Sequence, residues 1–201
     1  MSTNVSYYEN FNEIEKKIWD LLTNAISDRK SEFRTPAFIC GNDNDLDGRI
    51  VVLRKVSQQD NFIQYHSDIR SSKIEKIKKN SNCSVLFYGK QEKIQLRLKV
   101  ECMVHFNDEI TKESWEKTGH ISRKCYLVTN GPGTKSGTPT SGLADKFDKF
   151  DYTKEESEKG YKNFCVIRCR VKSVEWLYLA AKGHRRAIFD LENNKKSWLV
   201  P

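Results

Sequence analysis

The residues best suited to hold a ligand lie in two neighbouring stretches. Between residues 67 and 73 stand three hydroxyls, Ser67, Ser71 and Ser72, and two cations, Arg70 and Lys73. Upstream, the run Arg49-Ile50-Val51-Val52-Leu53-Arg54 is apolar and β-branched inside but carries a guanidinium at each end. A hydrophobic core has no use for either set of polar groups, whereas a phosphate takes hydrogen bonds from cations and hydroxyls together. Spacing adds a second reason. Residues 62–66 read as a strand, and Ile69, Ile74 and Ile77 then recur at helical intervals, so a strand feeds a helix start. The first N–H groups of a helix have no partner within it and favour an anion. An ordinary N-cap by Ser67 or Asp68, with solvated cations behind it, suits the same pattern.

Two more groups carry polar chemistry. From residue 94, Ile94, Leu96, Leu98 and Val100 alternate with Gln95, Arg97 and Lys99, so Gln95 and Arg97 share one strand face, which either meets solvent or lines a site. Near the C-terminus, Trp176 is followed by Lys182, Gly183, His184, Arg185 and Arg186, an aromatic and cationic cluster beside a turn.

The elements that must position these groups follow from periodicity. Residues 10–28 place Ile14, Ile18, Leu21, Leu22, Ala25 and Ile26 on one side of an amphipathic helix. Residues 37–40 form a first strand, closed by Gly41 and the turn-rich Asn42-Asp43-Asn44-Asp45, and residues 49–55 form one further strand. Strands at 83–88 and 93–106 are joined by a hairpin-like connection at 89–92, and a short helix covers 112–117. Residues 130–142, with four Gly and two Pro, are a loop, a mobile lid or a poorly ordered connection. They lack the spacing of a dinucleotide or P-loop motif. A long strand at 164–179 and short ones at 187–189 and 198–200 complete the set. Mostly hairpin order, without a strand-helix-strand repeat, predicts a mainly β fold: a six- to eight-stranded antiparallel barrel, closed or split, with helices at its side.

At 201 residues and 37% hydrophobic, the chain is expected to form one domain over 1–201. It has no apolar run of membrane-spanning length, and its N-terminus has neither a basic start nor an apolar stretch, which leads to an expectation of a cytoplasmic protein. Six cysteines without Cys-x-x-Cys spacing read as reduced, partly buried thiols, with disulfides as the alternative and no metal site expected. The net charge of +8 is spread among 27 acidic residues, and its densest run, 73–79, contains Glu75. That is a solvated helix face and argues against nucleic-acid binding.

Taken together, these motifs resemble the pyridoxamine 5'-phosphate oxidase family. Arg49-Ile50-Val51-Val52-Leu53-Arg54 is similar to that family's Arg-x-Val-Leu-Leu-Lys run, with Arg54 for the Lys. His66-Ser67-Asp68-Ile69-Arg70-Ser71-Ser72-Lys73 resembles its Tyr-Thr-Asn-x-x-Ser-Arg-Lys run, with Ser72 for the Arg. Gln95 stands where the family has the Gln of its Arg-Gln-Val-Arg strand. Trp176, His184 and Arg186 match its C-terminal motif, in which Lys182 replaces an Arg.

The resemblance implies a split β-barrel and a homodimer with flavin mononucleotide (FMN) at the subunit interface. It implies phosphate contacts from Arg49, Ser67, Ser71 and Lys73, with Arg70 standing in for the cation lost at Ser72. The backbone of Ile50, Val51, Val52 and Leu53 would lie along the flavin ring, with Arg54 and His66 beside the site. Gln95 would meet the ring edge, and Trp176 with Arg186 would complete the slot. His184 and Arg186 are the implied catalytic residues, and Arg54, Arg123, Lys182 and His184 the implied substrate contacts. The implied activity is hydride transfer from a small substrate, of which phosphorylated pyridoxine or pyridoxamine is the best defined, with reoxidation by oxygen. A flavin reductase acting on another small molecule and a non-catalytic FMN or haem binder remain alternatives.

Overall fold

A computed structural model describes residues 7–42 and 44–201. Asp43 of the expected turn and the first six residues of the N-terminal segment lie outside the described residues. Helix α1 (Phe11–Ser27) is capped by Asn10, whose side chain accepts from the Asn12 and Glu13 amides, and it leads to β1 (Ala37–Cys40), β2 (Asp47–Ile50), β3 (Leu53–Ser57) and β4 (Phe62–Asp68). Helix α2 (Ser72–Lys79), β5 (Asn82–Gly89), β6 (Ile94–His105) and helix α3 (Glu109–Glu116) follow. After short helical turns and irregular chain come β7 (Phe164–Tyr178), β8 (Arg185–Asp190) and β9 (Lys195–Leu199).

All pairings are antiparallel, in the order β2-β1-β5-β6-β7-β4-β3. Strand β7 makes the split. Its first half pairs with β4, from Phe164↔Asp68 to Arg170↔Phe62, and its second half turns to β8, from Ser173↔Asp190 to Tyr178↔Arg185. Strand β6 follows it along the other edge, with a register shift between Lys99 and Val100. The result is the expected antiparallel split barrel, curled around one core with helices at its flank.

One expected strand is two. Residues 49–55 break at Val51-Val52, because β2 pairs with β1 whereas β3 pairs with β4 at the other edge of the curled sheet. The Val51 amide donates to the Pro36 carbonyl, at 3.0 Å, where the chain changes partners. This division brings the described strands to nine. Inside, Ile14, Ile18 and Leu22 of α1 meet Phe38, Leu53, Tyr65, Leu98 and Trp176. A smaller cluster outside β7 joins Trp115 of α3 to Phe164 and Val166. Five cysteines are buried and all six are free thiols.

Candidate functional site

The turn between β4 and α2 brings the expected anion-binding groups together. Ser71 occupies the N-cap position of α2, so the alternative of a cap by Ser67 or Asp68 is not the one adopted, yet its hydroxyl makes no capping bond. That hydroxyl instead accepts from Lys73 Nζ at 2.9 Å and Arg49 Nη1 at 3.3 Å. Lys73 Nζ also donates to Ser67 Oγ at 2.8 Å, and Arg49 Nη2 to Ser72 Oγ at 3.4 Å. Arg49 thus reaches over from β2, the sheet edge that lies beside α2. Asp47, two residues before it on the same strand, pairs with the same Nη2 that reaches Ser72.

The electrostatics of this cradle are unbalanced. Burial, and then the neighbouring Arg49 charge, pull the Lys73 ammonium below its ordinary pKa. Arg49 Nε is buried with no partner among the described residues. Ser67 and Ser71 are themselves buried. Two cations therefore share small hydroxyls at an uncapped helix start, and an anion with several acceptor oxygens would satisfy donors that this arrangement leaves over. A flavin phosphate fits that donor set.

Other expected site residues go elsewhere. Arg70 is not a free cation for the cradle: its guanidinium forks the buried Asp68 carboxylate, with Nε to Oδ1 at 3.0 Å and Nη2 to Oδ2 at 2.7 Å. Arg123, expected at the substrate, is likewise engaged within the chain. Its buried guanidinium pairs with Glu158, donates to the Trp115 carbonyl at 2.8 Å and lies 4.6 Å from the Trp115 ring centre. It holds the small outer cluster together.

Arg54 and His66 face a cavity of about 540 Å³ between β3, β4 and α3. Five cations, Arg29, Arg34, Arg54, Lys55 and Lys117, line it with one carboxylate, Glu113. Lys55 and Lys117 both engage that carboxylate, whereas Arg54 has no carboxylate within pairing distance among the described residues. Burial, with a contribution from Arg34, pulls the Arg54 pKa below its ordinary value. Burial and the Arg54 charge lower the His66 pKa to about 3, so this imidazole is neutral at neutral pH.

The C-terminal groups occupy the outward face of the sheet. Gln95 pairs across to Leu177, and Leu177 to Arg186, in one row. Two strand spacings, about 10 Å, therefore separate Gln95 from Arg186. Glu175 accepts from Arg186 Nε at 3.0 Å and from Arg97 Nη2 at 2.5 Å. Trp176 points the other way: it is wholly buried in the core. Lys182 and His184 are exposed on the turn between β7 and β8, away from the Arg54 cavity lining.

Residues 16–106, which include the cradle, Arg54 and Gln95, match the family model described as pyridoxamine 5'-phosphate oxidase, FMN-binding domain. Over that stretch, a little under half of the chain, the sequence is similar to this FMN-binding domain. Solved structures agree in fold. A pyridoxamine 5'-phosphate oxidase-related, FMN-binding protein from Nostoc punctiforme aligns at TM-score 0.72 and 16% identity, over 92% of this chain and 96% of its own. PhzG from Burkholderia lata, in complex with tetrahydrophenazine-1-carboxylic acid, aligns at TM-score 0.72 and 13% identity, over 100% and 99%. No curated protein matches the chain.

Within this split barrel, sequence reasoning missed Asp47, Glu175 and Leu177. The missed signal for the last two was phase. On β7, Val174 and Trp176 face inward, so Glu175 and Leu177 face outward, and the exposed row beside Gln95 is filled by Leu177. Asp47 was legible in principle, since residues two apart on a strand point the same way.

Proposed function

We propose that this protein binds FMN through the Arg49, Ser67, Ser71, Ser72 and Lys73 cradle and works as a homodimeric FMN-dependent oxidoreductase on a small anionic substrate. The convergence of Arg49 and Lys73 on the unspent Ser71 hydroxyl carries this reading. The geometry also supports a division of labour along residues 49–54. A phosphate held at the Arg49 end would leave the flavin ring beside the 50–53 backbone, within the roughly 17 Å that five residues can span. The Arg54 cavity lies at the far end, and its excess of cations favours a phosphate or carboxylate on the substrate.

When bound, FMN would supply a hydride acceptor that oxygen can reoxidise. The chain's own residues hold the phosphate, orient the ring and attract the substrate anion. Gln95 and Arg186 lie on an outward sheet face that also carries Ile50, Leu86 and Tyr88, all exposed. A second copy laid on that face would cover these apolar groups and offer Gln95 and Arg186 to its flavin. The Arg186 cation, fixed by Glu175, would then favour the negative charge of the reduced ring.

Because Arg123 is committed to Glu158, a vitamin phosphate has one cation fewer than the family pattern implies. That favours, as a second reading, a flavin reductase acting on a different anion. The test is to saturate the purified protein with FMN and follow flavin absorbance after adding pyridoxamine 5'-phosphate or pyridoxine 5'-phosphate without oxygen. Bleaching, with peroxide released when air is admitted, supports the oxidase. Bleaching by a reduced nicotinamide alone moves the assignment to the reductase, and a protein that takes up no FMN overturns both.

A further inference from the structure

Arg70 departs from the site expected of it, and what it does instead links two separate parts of the molecule. Its backbone amide and two guanidinium nitrogens all donate to the Asp68 carboxylate, at 2.7 to 3.0 Å. The same guanidinium donates from Nη1 to the Thr129 carbonyl and from Nη2 to the Val128 carbonyl, both at 3.1 Å. Those carbonyls begin the glycine-rich loop, whose base is closed by the Thr129 amide donating to the Gly142 carbonyl at 2.9 Å. The fit is close on the loop side. A Cβ at Gly131 would stand 3.1 Å from Arg70 Cβ, so a larger residue there presses on the arginine. On the other side, the Ser71 amide donates to the Asp68 carbonyl at 3.1 Å, and Ser71 is the hydroxyl on which Arg49 and Lys73 converge.

A planar guanidinium that forks one carboxylate and spans two carbonyls is a stiff connector, which an ammonium group cannot imitate. We propose that Arg70 is a positioning residue that bolts the 129–142 loop to the anion cradle, so that an anion held by Arg49, Ser71 and Lys73 tightens the loop. The inference rests on the cradle being the phosphate site. Binding fixes the Ser71 turn, the turn fixes Asp68 and Arg70, and Arg70 fixes the loop base. By reciprocity, a loosened loop base weakens anion binding by the same factor.

Lys135 is exposed near the middle of the loop, and tryptic cleavage after it reports loop opening. The full chain is digested with and without saturating FMN, and separately with inorganic phosphate. In the wild type, either ligand should slow cleavage at Lys135 at least fivefold. In Arg70→Ala and Arg70→Lys, the ligand-free protein should be cut faster than wild type, and bound FMN should protect less than twofold. Gly131→Val, which leaves the cradle residues untouched, should lose protection in the same way, and it decides the matter if the arginine variants do not fold. Equal protection of wild type and variants at saturating FMN overturns the inference, as does a wild-type loop indifferent to both ligands. If FMN fails to bind, the flavin reading falls by itself, and phosphate protection that is present in wild type and lost in the variants still supports the bolt.

Discussion

Lys73 is held between the hydroxyls of Ser67 and Ser71 with Arg49 close by, and it donates to no carboxylate among the described residues. If the cradle holds a flavin phosphate as proposed, removing Lys73 takes away one charge-assisted contact to it. Lys73→Ala should therefore weaken FMN binding by about 1.5 to 3 kcal/mol, roughly 10- to 150-fold, as read by fluorescence titration. Unchanged affinity would remove Lys73 from the site. His66 gives a pH signature. Its pKa is about 3 in the folded protein against 6.5 for an ordinary histidine, so between these values the unfolded chain binds more protons. The contribution is fully present above about pH 6.5 and is lost as pH falls toward 3, at no more than about 1.4 kcal/mol per pH unit. Urea midpoints of wild type should fall more steeply than those of His66→Gln from pH 6.5 to 4, and parallel slopes would contradict this. Among single residues, those of the cradle were legible because most lie within one strand-to-helix turn. Arg70 and Arg123 were not, because their partners, the carbonyls of residues 128 and 129 and the Glu158 carboxylate, are remote in sequence or invisible as side-chain types.

Among the elements, β7 shows how one residue of register changes the chemistry offered. Trp176 sits at a motif position but on the inward phase, and Leu177 takes the outward one. Trp176→Ala should cost about 3 to 5 kcal/mol of stability, seen by denaturant unfolding, through loss of a core side chain. Leu177→Asp should leave stability nearly unchanged and weaken flavin binding. The reverse pattern would put the tryptophan in the slot. Alternation placed the strands in the sequence, since inward positions such as Leu96 and Leu98 are plainly apolar. It could not place the break at Val51-Val52, where β-branching continues while hydrogen-bonding partners change.

For the whole molecule, the division of candidate residues between the cradle and the outward face is the central fact. Within the chain, Gln95 and Arg186 make no bond to the cradle groups, and the sheet face they share exposes 66% of Ile50 and 50% of Tyr88. Tyr88→Lys should shift the protein toward monomer in sedimentation velocity and lower FMN affinity together. A monomeric variant with full affinity would show that each protomer completes its own site. The fold class was legible from hairpin order and alternation, but which outward groups share one face depends on curvature that no local pattern encodes. The most direct test of the account compares FMN with riboflavin, which differ by the phosphate alone, in equilibrium dialysis against wild type and Lys73→Ala. With two cations each contributing about 1.5 to 3 kcal/mol, FMN should bind at least about 100-fold more tightly than riboflavin to wild type, and the variant should narrow that gap. Equal affinity for the two flavins, or no binding of either, would contradict the assignment of the Arg49 and Lys73 cradle to a flavin phosphate.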